Sequence, residues 1–296
     1  MATLTDEQPS QSIGASKPIA ALCVLCHDAD AVLPFYRDVL GFEPRRAEES
    51  FYHFAKRGSG TSFCLWEIGH VASHTVYGKH SVDEIPNKFI VTLTLPSRRE
   101  IDDLHSSLNQ AGLQILSQDE FEGAYGFFFI DPCSVIWNVR VAAGQPGSDA
   151  WRALDRITLV CQDVEKTQRF YEDSLGFPRS DGINGLVNYA SVSDTALSLW
   201  DIASAAKVLG LPSLTDQQTW WSATTLMTAY SFDTLSAVQE QYERLAEAGV
   251  SFDEIPQFFD WDFNACYFRD PENTIWELFE TPSNIEERML PQTDKR

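Results

Sequence analysis

The chain has 296 residues, 44% of them hydrophobic, and a formal net charge of −21 from 43 acidic and 22 basic side chains. That length carries two domains with full cores, and the acidic balance with no basic run excludes a nucleic-acid partner, which needs a cationic surface to displace counterions. No segment approaches the ~20 apolar residues of a membrane helix, residues 1–17 are too polar for a signal peptide, and six cysteines with no paired spacing shared between the halves suit reduced thiols in a cytoplasm.

In chain order, residues 1–17 are expected to be a disordered tail. An apolar run at 19–26 reads as a buried strand. Cys23 and Cys26 form a CxxC on it, but residues three apart on a strand face opposite sides, so core packing is the favoured reading for both, with metal or redox work as the alternative. Asp28 can cap a helix with Leu33, Phe35, Tyr36 and Leu40 on its apolar face and Gly41 at its end. Strands are expected at 51–56 and 62–68, then a loop holding His70, His74 and His80. A strand at 89–95, a helix at 99–111 and two strands about the Asp131-Pro132 turn complete the half. The stretch 142–150, with Gly-Gln-Pro-Gly-Ser, reads as a linker.

The same order then returns. A strand at 157–161 leads to Asp163, a helix with Phe170, Tyr171 and Leu175, and Gly176. Strands follow at 186–190 and 196–202, another at 226–232, a helix at 236–248, and strands about Asp270-Pro271 ending at 274–280. The repetition reaches individual residues: Phe-Tyr-x-Asp-x-Leu-Gly-Phe occurs at 35–42 and 170–177, Leu-Trp-acid-Ile at 65–68 and 199–202, and Asp-Pro with Ile-Trp at 131–137 and 270–276. With Ala-Gly at 111–112 and 248–249 these make four ordered matches at an offset of roughly 135 residues, which mean a duplicated domain rather than a short-period solenoid. The fold class expected is α+β, two tandem domains of paired βαβββ modules forming half-barrel cups, with domain 1 at 18–142, a linker at 143–153, domain 2 at 154–281 and a tail at 282–296.

The helix motif together with the distal Asp-Pro-x-x-x-x-Trp-Glu-Leu strand resembles the vicinal oxygen chelate superfamily of glyoxalase, bleomycin-resistance and extradiol-dioxygenase proteins, over roughly residues 18–281. The resemblance implies cups whose mouths chelate a divalent ion. The implied ligand positions are Ala21 and Arg156 on first strands, Cys64 and Ser198 on fourth strands, Ile90 and Met227 on fifth strands, and Asn138 and Glu277 after the terminal Trp. Catalytic iron or zinc wants about three imidazole or carboxylate ligands, so no metal or other cofactor is expected, a divalent ion being possible but disfavoured.

In place of a metal, the resemblance puts Arg156 and Glu277 on neighbouring strands of a C-terminal cup. There Arg156 would bind a ligand oxygen and Glu277 would orient it or act as a base, with Tyr267 as a further acid; a plain salt bridge closing an idle cup is the competing reading. Tyr189, Ser198, Trp200, Trp220, Trp221, Met227, Phe258 and Trp261 are the candidate ligand-binding residues, suited to an aromatic or polyketide-like molecule. All six histidines lie in the first half. His70 and His74 have a metal-compatible spacing if helical, solvated loop residues being the favoured reading, and His53 could face the first cup. No P-loop, dinucleotide fingerprint or Ser-His-Asp arrangement is present. The sequence thus points to a small-molecule partner without nucleic acid or membrane, in a monomer or homodimer. It leaves open a binding protein or a metal-independent lyase, isomerase or cyclase, with a metal dioxygenase or glyoxalase less favoured.

Overall fold

The computed structural model describes residues 12–48, 51–54, 61–74, 89–117, 121–141, 153–180, 182, 185–190, 195–215, 225–259 and 263–281. Four modules follow one another. The first holds β1 (Ala21–Cys26), α2 (Ala29–Pro34), β2 (Pro44–Glu48), β3 (Phe51–Phe54), β4 (Ser62–Glu67) and α3 (Ile68–His74), preceded by a short α1 (Ile13–Ser16). The second holds β5 (Phe89–Leu95), α4 (Arg98–Gln110), β6 (Ile115–Ser117), β7 (Gly126–Ile130) and β8 (Ile136–Val141). The third holds β9 (Ala153–Cys161), α5 (Val164–Arg169), β10 (Arg179–Ser180), β11 (Leu186–Tyr189), β12 (Ala196–Asp201) and α6 (Ile202–Leu209). The fourth holds β13 (Thr225–Phe232), α7 (Leu235–Glu247), β14 (Gln257–Phe259), β15 (Phe263–Arg269) and β16 (Ile275–Glu280). Among the described residues no helix is long and apolar enough to cross a membrane.

The α+β class and the paired βαβββ modules are as expected, but the pairing runs between halves. One eight-stranded sheet has the order β14-β15-β16-β13-β1-β4-β3-β2 and joins the first and fourth modules. The other, β10-β11-β12-β9-β5-β8-β7-β6, joins the second and third. The first is called here the outer cup and the second the inner cup. Each seam is antiparallel, Cys23 facing Met227 in the outer sheet and Ile90 facing Thr158 in the inner one. There is therefore no C-terminal cup: each half contributes one wall to both.

What unites a half is the repeated motif pair. In each half the helix runs into a π turn, Phe35–Val39 or Phe170–Ser174, and ends on a glycine with φ of 70° or 72°. The turn drives Tyr36 or Tyr171 into the core. Tyr36 Oη donates to Asp131 Oδ2 at 2.6 Å, and Tyr171 Oη donates to Asp270 Oδ2 at 2.6 Å. Each aspartate also fastens its own turn: Asp131 Oδ1 accepts from the Cys133 and Val135 amides, Asp270 Oδ1 from those of Glu272 and Thr274. Trp137 Nε1 donates to Asp131 Oδ2 at 2.7 Å, while Trp276 Nε1 donates to Tyr171 Oη at 3.1 Å. Burial pushes both aspartates up to about 6, against the opposing pull of these donors. The sequence motifs are thus a buried lock between the two modules of a half, each module belonging to a different sheet. A single large core, with Tyr36, Trp137, Tyr171 and Trp276 in it, fills the space between the sheets and around the helices.

Part of the tail expected to be disordered is ordered. Ile13 is buried, the Gly14 amide donates to Leu175 O at 2.8 Å, and Ser12 Oγ donates to Gly176 O. A Cβ on Gly14 would stand 2.5 Å from Phe177 Cδ2, so only glycine lets this helix lie on the second half. Cys23 faces the outer cup and Cys26 the large core, the opposite-sided arrangement a strand requires.

Candidate functional site

Knowing which strands share a cup re-sorts the expected ligand positions into two sets of four. Ala21, Cys64, Met227 and Glu277 come together in the outer cup; Arg156, Ser198, Ile90 and Asn138 come together in the inner one. Arg156 on β9 and Glu277 on β16 therefore stand in different sheets, and the expected pairing of the two is corrected.

In the outer cup, two rows of side chains cross the strands. One row runs His53, Cys64, Cys23, Met227 and Ile275, each opposite the next on β3, β4, β1, β13 and β16. The adjacent row runs Ala21, Ala229, Glu277 and Tyr267. Because side chains alternate between faces, these rows share the concave side with Trp66, Leu25 and Phe259. Glu277 is 4% exposed, and its Oε1 accepts a 2.6 Å hydrogen bond from Tyr267 Oη. Burial pushes the Glu277 carboxyl up to about 7, and the Tyr267 hydroxyl pulls the other way without cancelling it. Tyr267 is held edge-on by Phe259 at 5.5 Å between ring centres. The outer cup is thus an apolar, sulfur-lined face against which α3 packs Ile68 and Val71, with the buried Glu277 carboxyl pushed up to about 7.

The inner cup is filled by its own side chains. Trp200, Ile90, Phe128 and Val160 form a cluster into which α6 inserts Ala205, Ala206 and Leu209, with Leu214 behind them. Asp201 caps α6 and Gly210 ends it with φ of 65°, fixing the helix in place. At the polar end, Arg156 Nη1 and Arg140 Nη1 both donate to Glu122 Oε2, at 2.7 and 3.0 Å, and Arg140 also binds Asp155. Ser198 Oγ donates to Asn188 Oδ1 at 2.6 Å. This network pairs two cations with two anions, as a closing salt-bridge cluster would.

The other candidate residues are dispersed. Tyr189 turns away from the cups into the large core, against Tyr171 and Phe177. Trp200 faces the inner cup, as does Ser198, but as buried filling. Phe258 is 63% exposed on edge strand β14, and its neighbour Phe259 is the one that enters the outer cup. Trp220, Trp221 and Trp261 lie outside the described residues, as do His80 and the side chain of His74. His70 is on a helix, with its ring tilted against Trp66. No sequence motif singles out Glu122, Arg140 or Asp155; Phe259 stands in the aromatic segment read as cup lining, and Cys23 reads there chiefly as core.

A divalent metal implied by the resemblance can be tested against these donors. The outer set offers one carboxylate, a thiol, a thioether and a methyl group; the inner set offers a guanidinium, a hydroxyl, an amide and an alkyl chain. Among the described residues no three His, Cys, Asp or Glu side chains converge as a metal site. The residues do not fit a hard divalent ion.

A family model described as the Glyoxalase/Bleomycin resistance protein/Dioxygenase superfamily matches residues 19–139 and 153–278. Among solved structures, glyoxalase I from Zea mays superposes with a TM-score of 0.61 at 14% identity, covering 94% of this chain and 98% of that one. A candidate dioxygenase from Bacillus subtilis gives 0.62 at 14% identity, covering 96% of this chain and 90% of that one. At such identities these likenesses establish the fold alone. No curated protein matches the chain in sequence.

Proposed function

The chain belongs to the Glyoxalase/Bleomycin resistance protein/Dioxygenase superfamily, and from that premise we propose that its outer cup binds a small, largely apolar organic molecule and exchanges a proton with it through Glu277. The observation that carries this reading is the buried Glu277–Tyr267 pair on the apolar concave face, with the Glu277 carboxyl pushed up to about 7. A base is most effective when its pKa lies near the working pH, and a carboxylate in water lies well below it. Tyr267 orients the carboxyl and can hand a proton to oxygen on the same ligand. The flanking aromatic and sulfur side chains suit a flat, aromatic or polyketide-like molecule, which such surfaces bind with few polar anchors. The reaction class is proton relocation, as in an isomerase, lyase or cyclase.

Arg156 takes no part in this proposal, since it belongs to the filled inner cup. Sequestration without turnover is the second reading, favoured by the scarcity of polar groups along the two outer-cup rows. Six unpaired, buried thiols agree with a reducing compartment.

The test begins with a thermal-shift screen of small aromatic and polyketide-like molecules. Any molecule that binds is then followed by NMR for solvent-deuterium incorporation at its acidic carbon. Wild type and Arg156→Met are expected to bind and exchange alike, whereas Glu277→Gln binds without exchange. Binding without exchange in wild type supports sequestration, and loss of binding in Arg156→Met alone refutes the outer-cup assignment.

A further inference from the structure

Three sulfur atoms come from one row of the outer cup. Cys64, Cys23 and Met227 sit directly opposite one another on the adjacent strands β4, β1 and β13, with His53 next in line on β3. Cys23, Cys64 and Met227 pack in one cluster, at 2%, 4% and 3% exposure. Both cysteines are free thiols. Burial, and next to it the Cys64 thiol, push the Cys23 thiol well up.

Neighbouring strands lie about 4.8 Å apart, and two sulfurs on opposite sides of one ion at the ~2.3 Å metal–sulfur distance lie about 4.6 Å apart. Cys23 and Cys64, on adjacent strands, thus have the separation that one soft ion bridges, and Met227, on the strand at the other side of Cys23, reaches the same ion by leaning its longer side chain across. Hard ions prefer oxygen and imidazole, whereas thiol and thioether donors select soft ions such as copper(I).

We propose that Cys23, Cys64 and Met227 form a binding site for a soft monovalent cation of the copper(I) kind, in the cup where this fold otherwise presents hard donors. Binding replaces one thiol proton, which leaves to solvent, with the cation. The complex of one thiolate, one thiol and one thioether is then neutral, which keeps its burial cost low. The row containing Glu277 is the adjacent one, so the cation and the acid–base pair are neighbours rather than competitors. The proposal does not depend on the organic ligand assigned above.

The test uses the full-length, reduced protein under anaerobic conditions, titrated with copper(I) against bicinchoninate as the competing chelator. One equivalent per chain is expected to be withheld from the chelator. Cys23→Ser and Cys64→Ser should each abolish that equivalent, and Met227→Leu should weaken it. Cys161→Ser, altered in the large core, should keep it, as should Glu277→Gln. Circular dichroism establishes that each variant is folded; for any that is not, Cys→Ala at the same position replaces it. X-ray absorption at the copper edge of the wild-type complex supplies an independent reading, with a shell of two or three sulfurs expected. Failure to compete with the chelator, retention of the equivalent in both Cys23→Ser and Cys64→Ser, or a nitrogen and oxygen shell would overturn the proposal.

Discussion

Replacing Glu277 with Gln should make the protein more stable, and by an amount that depends on pH. In the folded chain burial holds the Glu277 carboxyl up to about 7, whereas its ordinary value is 4.5. The native state therefore binds this proton more tightly than the unfolded chain does. Below about pH 4.5 both states are protonated and the group is neutral toward folding. Between 4.5 and 7 stability falls as pH rises, and above 7 the full penalty of a buried carboxylate is present. At 1.36 kcal/mol per unit, the difference amounts to on the order of 3 kcal/mol. The Glu277→Gln variant escapes that penalty at every pH, and its amide keeps an oxygen to accept from Tyr267 Oη. Urea unfolding of both proteins between pH 4.5 and 8 should give curves that converge at the acid end and separate by about 3 kcal/mol at the basic end, the variant being the more stable. Asp131 and Asp270, also pushed up, to about 6, lower stability over a similar range, but they are common to both proteins and cancel in the difference. A separation that does not change with pH would refute the reasoning.

Asp131→Asn, whose amide nitrogen would take the place of the Oδ2 that accepts from Trp137 Nε1, a group that can only donate, should cost about 1–3 kcal/mol in denaturant unfolding; Asp270→Asn should cost less, because the atom replacing its Oδ2 faces only Tyr171 Oη, which can accept. Glu122→Ala leaves Arg140 and Arg156 without their shared carboxylate oxygen and should cost about 3 kcal/mol in the same assay. Binding to the outer cup should be unaltered in that variant. Gly14→Ala should displace the N-terminal helix from Phe177, seen as faster amide hydrogen exchange at Gly14 and Ile13 with the cups intact. Expressing either half alone should give no functional cup, because each cup takes four strands from each half; mixing the two halves should restore ligand binding.

The module order is plain in the sequence, since strand periods, the aspartate caps and the helix-ending glycines are local signals that survive duplication. Which module pairs with which is not legible there. Four similar modules can be paired within or between halves without altering any local pattern, and only the register of β1 on β13 and of β5 on β9 decides it. That choice is what separates Arg156 from Glu277. The Tyr36–Asp131 and Tyr171–Asp270 locks escape for a related reason: one motif reads as a helix face and the other as a turn, but the hydrogen bonds between them span 95 and 99 residues. Two misplacements are one residue wide. Tyr189 and Phe258 each stand beside the side chain that does face a cup, Asn188 and Phe259, and on a strand a shift of one reverses the face. The helix α6 is legible in principle from Asp201 and Gly210, a capping aspartate and a left-handed glycine at its two ends.

The most direct test of the account is the titration of the Glu277 carboxyl itself. Protein carrying carboxyl-labelled glutamate, with the resonance assigned by its disappearance in Glu277→Gln, would be followed by carbon NMR from pH 4 to 9. The account predicts a midpoint near 7, shifting when a ligand enters the outer cup. A midpoint near the ordinary 4.5, unmoved by ligand, would contradict it.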